Sequence, residues 1–232
     1  MGAQWKHAGR VAAGETKGRI FSKLAKEVAI AAKAGADPSM NPRLRACIEL
    51  AKKQSMPKDT LERAIKKGAG LLDEQVTYET VTYEGFGPHR VPVIVECLTD
   101  NKNRTATSVR ILFRKYQLAN SGAVSWDFAY LGLVDAAPPA GADAEEAAIE
   151  AGAQDVEQDG DSFRFYTEAT DLDAVAKALT GRGWTVATMR LGWRAKNPMK
   201  LPEAAHRTEV EDFLTELDAD DDVQHIYVGL EA

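Results

Sequence analysis

The sequence lacks the features that mark secreted and membrane proteins. It has only two cysteines, Cys47 and Cys97, and they are not arranged as a CxxC pair. A disulfide framework is therefore excluded, and reduced, buried thiols are expected. No apolar run approaches the roughly 18 residues that a membrane span requires. The first twenty residues carry cations without a following apolar segment, so neither a signal peptide nor a membrane partner is predicted, and a cytoplasmic location is expected.

Motifs for catalysis or cofactor binding are also missing. The four histidines are scattered and lack the spacing of metal ligands. The sequence contains neither a phosphate-binding P-loop nor the nucleophile elbow of a hydrolase. An acidic run at 220–222 lacks the glycine and glutamate positions of a calcium loop, so a solvated turn is expected there. We therefore predict no metal, no cofactor and no enzymatic activity; an α/β enzyme with a helical lid is the least favoured alternative.

Charge is strongly segregated along the chain. Residues 1–70 hold 15 Lys/Arg and six Asp/Glu, a net charge of +9, whereas residues 71–232 hold 14 and 29, a net charge of −15. The overall charge of −6 hides this difference. One end of the chain is therefore attractive to polyanions and the other repels them.

Three short helices are predicted in the basic segment. Residues 19–34 place apolar side chains at helical spacing. A second helix begins at Asn41-Pro42, because asparagine is a good N-cap and proline fits the first helical position. A third begins at Pro57 and ends at Gly68, with acids near its start and lysines near its end, as the helix dipole favours. Such helices can close a small bundle.

The pattern then changes to that of a first α/β unit. Residues 77–85 alternate, 91–99 form a β-branched run, and the turn residues GFGPHR (85–90) between them predict a hairpin. A helix over 103–116 and a strand over 122–128 follow.

A second α/β unit begins near Tyr130. Its pattern is β-α-β-β-α-β, the ferredoxin-like order, with a strong hairpin signal at Asp159-Gly160. The predicted elements are strands at 131–136, 154–158, 162–167 and 184–194 and helices at 143–151 and 171–181.

A final helix (203–217) and strand (223–229) have no place in the second unit, and the first unit lacks one helix and one strand. We therefore predict that this segment returns to the first unit. The predicted fold class is α+β: an N-terminal three-helix bundle plus two ferredoxin-like α/β domains, the last inserted into the middle one. The predicted domains are residues 1–75, residues 76–129 with 201–232, and residues 130–200.

The basic helical domain is the strongest candidate for a functional surface. Flexible cations around an aromatic residue suit phosphate contact with some base stacking. No helix-turn-helix pattern with polar residues that could read base edges is visible, so sequence-specific readout is not predicted. The candidate nucleic-acid-binding residues are Lys6, His7, Arg10, Arg19, Lys23, Lys26, Arg43, Arg45, Lys52, Lys53, Lys58, Arg63, Lys66 and Lys67.

Two further segments have competing interpretations. TDNKNRT (99–105) is either a phosphate site, with Asn103 capping a helix and Arg104 donating, or a simple strand-to-helix turn, which is favoured. GFGPHR is a tight hairpin turn, but a protruding tip of Phe86, His89 and Arg90 could also contact RNA.

Several segments resemble the hallmark sequences of the YebC/PmpR family, which includes the mitochondrial translational activator of cytochrome c oxidase. They are NPRLR (41–45), MPKDTLERAIKKGAG (56–70) and YEGFGPHRVPVIVECLTDNKNRT (83–105). The resemblance continues through GAVSWDF to DDDVQHIY. Many members have a denser basic arm at their start, and many have Gly-Gly where this chain has His89-Arg90.

The resemblance implies three domains and a DNA-binding regulator of transcription. The alternative that it implies is a ribosome-associated factor that binds ribosomal RNA and eases stalled translation. The expected partners are therefore DNA or ribosomal RNA, and with them the ribosome; a monomer is expected. Charge alone does not separate these two functions, because both use phosphate contacts.

Overall fold

The computed structural model describes residues 17–72 and 77–231 of the protein. Within these ranges the basic segment forms helices α1 (Lys17–Ala32), α2 (Pro42–Lys53) and α3 (Lys58–Gly68). The remaining elements are, in chain order, β1 (Glu79–Phe86), β2 (Pro92–Thr99), α4 (Lys102–Leu112), β3 (Gln117–Ala119), β4 (Phe128–Ala137), α5 (Ala144–Ala151), β5 (Asp155–Asp159), β6 (Ser162–Thr167), α6 (Leu172–Gly181), β7 (Thr185–Ala195), α7 (Ala204–Asp218) and β8 (Val223–Val228).

The N-terminal helices pack around an apolar core. Leu24 and Val28 of α1 meet Leu44 of α2 and Leu61 of α3 there. Asn41 caps α2 as predicted: its side-chain oxygen accepts from the Leu44 N–H at 3.0 Å. The same side chain donates to the backbone oxygens at the end of α1, which fixes the turn between the two helices.

Gly68 does more than end α3. A Cβ atom at this position would lie 1.9 Å from the backbone oxygen of Ala29 in α1. The glycine is therefore required by the close approach of α3 to α1, since any side chain would push the helices apart.

The middle sheet has the strand order β3-β1-β2-β8 and is antiparallel throughout. Helices α4 and α7 cover one face, where Phe113 and Phe213 pack edge to face with ring centroids 5.1 Å apart. The chain enters this sheet through the β1–β2 hairpin. The middle domain thus has the layers of a ferredoxin-like domain with a different order of connections.

Strand β8 pairs with β2. The pairing begins with Val93 opposite Val228 and ends with Cys97 opposite Val223. The side chains of α7, such as Val210 and Leu214, lie in the same core as β2. This pairing is consistent with a return of the last segment to the first α/β unit, while the residue bounds of the three domains stay a prediction.

The second sheet has the strand order β5-β6-β4-β7, also antiparallel, which is the order of a ferredoxin-like fold. Helices α5 and α6 cover one face through a core that includes Phe165, Leu179 and Trp184. The α+β class with N-terminal helices and two antiparallel sheets is therefore confirmed.

The two sheets meet through a separate apolar cluster. Ile94 and Tyr227 of the middle sheet pack with Phe128, Leu133 and Tyr166 of the second. Both sheets are covered by helices on one side and by each other on the opposite side. This packing explains the near-continuous apolar sequence of β2, which is buried on both faces.

Both cysteines are free thiols. Burial raises the pKa of Cys47 to about 11 and the pKa of Cys97 to about 12. Both side chains therefore stay protonated at neutral pH, as the sequence predicts for cysteines with a packing role.

The predicted strand at 122–128 is wrong. Its first six residues form a turn that ends in a single 3-10 turn, Ser125–Asp127, before β4 begins. The cause is Glu84, a buried carboxylate on β1, which accepts hydrogen bonds from the backbone N–H groups of Gly122, Val124 and Ser125 at 2.7–2.8 Å. These bonds satisfy N–H groups that a strand would have paired with a neighbour.

The protonation of Glu84 follows from the same bonds. Burial, the largest single influence, favours the neutral acid, but the N–H donors together outweigh it and lower the pKa of Glu84. A lowered pKa means that the carboxylate adds stability above the ordinary glutamate pKa of 4.5 and loses it as the pH falls through the folded value.

We expect Glu84→Gln to lower the free energy of unfolding by about 2 kcal/mol at neutral pH, because one amide cannot accept all three N–H groups. Chemical denaturation measures the change. Glu79→Gln on the same strand is the matched control, since that side chain is exposed, and it should change stability by less than about 0.5 kcal/mol. Equal effects of the two substitutions would contradict the role of Glu84.

Candidate nucleic-acid interface

Helices α2 and α3 present most of the predicted cations to solvent. Their apolar side chains point into the bundle, so the charged positions lie on the outward faces. Two lysines end α2, and a third begins α3 after a short turn. The exposed cations, here called the α2–α3 basic surface, are Arg43, Arg45, Lys52, Lys53, Lys58, Arg63 and Lys66.

Lys67 is only half exposed. Its ammonium donates to the hydroxyl of Tyr78 at 3.0 Å and lies 5.2 Å from the centre of that ring. The lysine therefore links α3 to the segment that leads into β1 and sits at the margin of the basic surface.

Lys23 is buried rather than available to a ligand. Its ammonium donates to the carboxylate of Asp218 at 3.0 Å and to the backbone oxygen of the same residue at 2.7 Å. The side chain of Lys23 is 6% exposed. Lys23 is one of the predicted nucleic-acid-binding residues, but the folded chain does not leave it available to phosphate, because an acid 195 residues away neutralises it.

Lys26 is bound in the same way. Its ammonium donates to the Asp222 carboxylate at 2.6 Å and to the backbone oxygens of Asp221 and Leu98 at 2.7 and 3.2 Å. The two lysines hold the helical bundle against the middle domain. Of the three predicted binding residues on α1, both lysines are thus held by acids of the middle domain, and Arg19 is half-buried.

The Asp222 carboxylate also accepts hydrogen bonds from side chains of the middle domain. The Arg104 guanidinium lies 2.9 Å from it, and the Thr105 hydroxyl donates to it at 2.8 Å. The expectation of a solvated turn at 220–222 is therefore wrong for Asp222, which is buried, although it holds for the exposed Asp221.

These contacts decide between the two interpretations of TDNKNRT. Asn101, not Asn103, caps α4 by accepting from the Arg104 N–H at 3.1 Å. The Arg104 side chain is directed at Asp222 and Asp100. The segment is a strand-to-helix turn whose guanidinium already binds carboxylates, which favours the structural interpretation over the phosphate site.

The ionisation of Asp222 reflects its partners. Burial, the largest influence, favours the neutral acid, but hydrogen bonds from Lys26, Arg104 and Thr105 outweigh it and lower the pKa of Asp222 to about 2. The contribution of the carboxylate to stability is thus complete above the ordinary value of 3.8 and is lost as the pH falls through about 2.

The β1–β2 turn is folded against the middle domain instead of protruding as a tip. Phe86 is half-buried and packs on the apolar cluster between the sheets. The ring of His89 stacks on that of His206 at 3.9 Å, and its Nε2 lies 2.9 Å from the Glu209 carboxylate. Arg90 is exposed and lies over the Phe86 ring. Of the predicted RNA-contacting loop, Arg90 is the residue that is exposed to solvent.

The backbone conformation of this turn bears on the departure of His89-Arg90 from the family pattern. His89 and Arg90 have φ angles of 54° and 60°, in the left-handed region that favours glycine. The Gly-Gly of many family members suits this conformation. Here the His89 ring contacts Glu209 of α7, and Arg90 lies over the Phe86 ring.

Three of the predicted contacts, Lys6, His7 and Arg10, lie outside the described residues. In the part of the chain that the structure describes, no helix is long and apolar enough to cross a membrane. The same part contains no group of three or more histidine, cysteine, aspartate or glutamate side chains arranged to hold a metal ion.

The described chain is thus an N-terminal helical bundle with exposed cations, joined to two antiparallel sheets with their helices. Residues 3–71 match the sequence profile of the TACO1/YebC protein N-terminal domain, and residues 78–230 match the profile of the TACO1/YebC second and third domain. The chain belongs to the TACO1/YebC family.

Relatives along the whole chain share the same description. Proteins from Pseudomonas syringae pv. tomato, Polaromonas sp. and Bdellovibrio bacteriovorus are 59%, 54% and 50% identical, each over 99% of this chain and at least 99% of its own length. All three are named probable transcriptional regulatory proteins. The family therefore supports a regulatory role.

A solved structure has the same fold. The crystal structure of a conserved hypothetical protein from Aquifex aeolicus superposes with a TM-score of 0.83 at 35% identity. The similarity covers 97% of this chain and 95% of the Aquifex chain.

We expect Asp222→Asn to lower the free energy of unfolding by about 3 kcal/mol at neutral pH, because Lys26 and Arg104 lose a buried countercharge. Asp221→Asn is the matched control, since its side chain is exposed and only its backbone binds Lys26. Denaturant titrations should show a difference between the two variants that shrinks below a pH of about 4. Equal stability of both variants at neutral pH would refute the role of Asp222.

Proposed function

We propose that the protein binds the phosphate backbone of nucleic acid through the α2–α3 basic surface and acts as a DNA-binding regulator of transcription. The observation that carries this proposal is the contrast among its cations. Lys23 and Lys26 are bound to acids of the middle domain, whereas the seven cations of the α2–α3 basic surface stay exposed. Exposed cations on neighbouring helices suit a polyanionic partner.

The chemistry of this surface favours affinity over sequence recognition. The surface consists of lysines and arginines. When such side chains contact the phosphates of a nucleic acid, they release its counterions whatever the base sequence. Arg63 and Lys66 are three positions apart on α3 and therefore face the same way. A phosphate backbone that crosses this helix can contact both.

The acidic charge of the α/β domains limits how the protein approaches a duplex. A helix such as α7 carries exposed Glu209, Asp212 and Glu216, which repel phosphates. Binding therefore places α2 and α3 toward the nucleic acid and α7 away from it. The names of the relatives support transcription as the regulated process.

A second candidate function, a ribosome-associated translation factor, rests on the same acidic charge. Residues 71–232 have a net charge of −15, and bare DNA offers them nothing to contact. A ribosome presents basic proteins beside its RNA, so both halves of the chain would find complementary partners there.

The double variant Arg63→Gln, Lys66→Gln should bind both DNA and RNA more weakly. It should also reduce the salt slope of the affinity by about two phosphate contacts, because each lost cation no longer displaces a counterion. Fluorescence anisotropy across a salt series measures both quantities. The matched control is Lys177→Gln on α6 combined with Arg182→Gln just after the end of that helix, which changes the net charge equally and should leave the slope unchanged. Identical slopes for the two double variants would remove α3 from the interface.

Sedimentation of a lysate through a sucrose gradient separates the two candidate functions. Transcriptional regulation predicts that the protein is recovered with chromosomal DNA and is released by DNase. Co-migration with ribosomes that is sensitive to RNase would instead support the translation factor. The Arg63→Gln, Lys66→Gln variant should lose either association, which ties the result to the basic surface.

A further inference from the structure

Trp126 is an exposed aromatic residue far along the sequence from the basic surface. It lies in the 3-10 turn Ser125–Asp127 that precedes β4, and its exposed fraction is 70%. The other tryptophan side chains that the structure describes, Trp184 and Trp193, are buried or half-buried. Trp126 is therefore the most exposed of the tryptophan rings that the structure describes.

The turn that carries Trp126 is held rigidly. Three backbone N–H groups of this loop donate to the buried Glu84 carboxylate. On the other side, the Lys196 ammonium donates to the Trp126 backbone oxygen at 2.8 Å, and the Lys196 N–H donates to the Asp127 oxygen at 2.9 Å. A ligand that contacts the ring therefore has little loop entropy to overcome.

The indole N–H of Trp126 already has a hydrogen-bond partner within the protein. The indole N–H donates to the backbone oxygen of Ala123 at 3.0 Å within the same turn. The ring can therefore recognise a partner through its apolar π-faces, which is the requirement for stacking on another flat ring.

The residues that precede Trp126 favour a nucleobase over an apolar protein surface as its partner. The exposed residues just before it are small or polar, namely Asn120, Ser121, Gly122 and Ala123, and the nearest large exposed ring after it is Tyr130, four residues on. An apolar rim, which a protein contact centred on tryptophan would need to exclude water, is not formed by these residues. The exposed Lys196 is anchored at the Trp126 carbonyl and supplies a cation for a phosphate.

We propose that Trp126 stacks on an unpaired base of single-stranded nucleic acid while Lys196 contacts a neighbouring phosphate. The inference rests on the proposed function and adds a second site, on the turn before β4, that selects single strands over duplexes. Stacking on an aromatic side chain requires a base whose face is free, whereas duplex bases cover one another.

Anisotropy titrations with a labelled oligouridine and with a DNA duplex test the proposal. Trp126→Ala should weaken binding of the full-length protein to oligouridine by about ten-fold, the loss that corresponds to one stacked base. Its duplex affinity should stay at the wild-type value. Trp126→Phe should keep most of the oligouridine affinity, and Trp126→Leu should not, because leucine is apolar without being aromatic. Lys196→Gln should reduce the oligouridine salt slope by about one phosphate contact.

Ile149→Ala is the matched control, since Ile149 is an exposed apolar residue of α5, and it should change neither affinity. Unaltered oligouridine binding by Trp126→Ala, with wild-type duplex binding, overturns the stacking site alone. Equal binding by the Phe and Leu variants overturns it too and indicates an apolar protein contact. A wild-type protein that binds neither probe refutes this inference together with the proposed function.

Discussion

The arrangement of the helical bundle on the α/β domains depends on one buried carboxylate, Asp222. It binds Lys26 from α1 and Arg104 and Thr105 from α4, at the point where β8 begins. A single charge thereby connects the bundle to both the first helix and the last strand of the middle domain. Together with the Lys23–Asp218 pair, it fixes which faces of the bundle point outward and hence which cations a ligand can reach.

The interface between the bundle and the middle domain reduces the positive charge that residues 1–70 present to solvent. A net charge of +9 over residues 1–70 suggests one large basic surface. In the folded chain part of that charge is matched internally, and among the described residues of this segment most of the exposed cations lie on α2 and α3. Ion pairs of this kind orient domains more than they stabilise them, because desolvation offsets much of the attraction. The lysines and arginines of residues 1–70 thus have two roles: some attach the bundle to the middle domain, and others are exposed for a ligand.

The sequence predicts the fold well because its helices and strands follow clear periodicities, down to the Asn41 cap of α2. The prediction fails where a side chain that is distant in sequence determines the local structure or the exposure of a residue. Residues 122–128 are predicted as a strand, but the Glu84 carboxylate on β1 accepts the N–H groups of Gly122, Val124 and Ser125. Lys23 looked like a surface residue because its partner, Asp218, is 195 residues away. Local pattern carries no information about such long-range polar partners, so the candidate site was predicted only in part.

The return of α7 and β8 to the middle sheet has a consequence for folding during synthesis. After the N-terminal helices, the ribosome makes β1, β2, α4 and β3, then the whole of the second sheet with its helices, and only afterwards the strand β8 that pairs with β2. Until residues 204–228 have emerged, the nascent middle domain has an open edge, and Lys23 and Lys26 lack their carboxylates. The inserted unit can fold as soon as it leaves the exit tunnel. The N-terminal bundle, although translated earliest, therefore docks last.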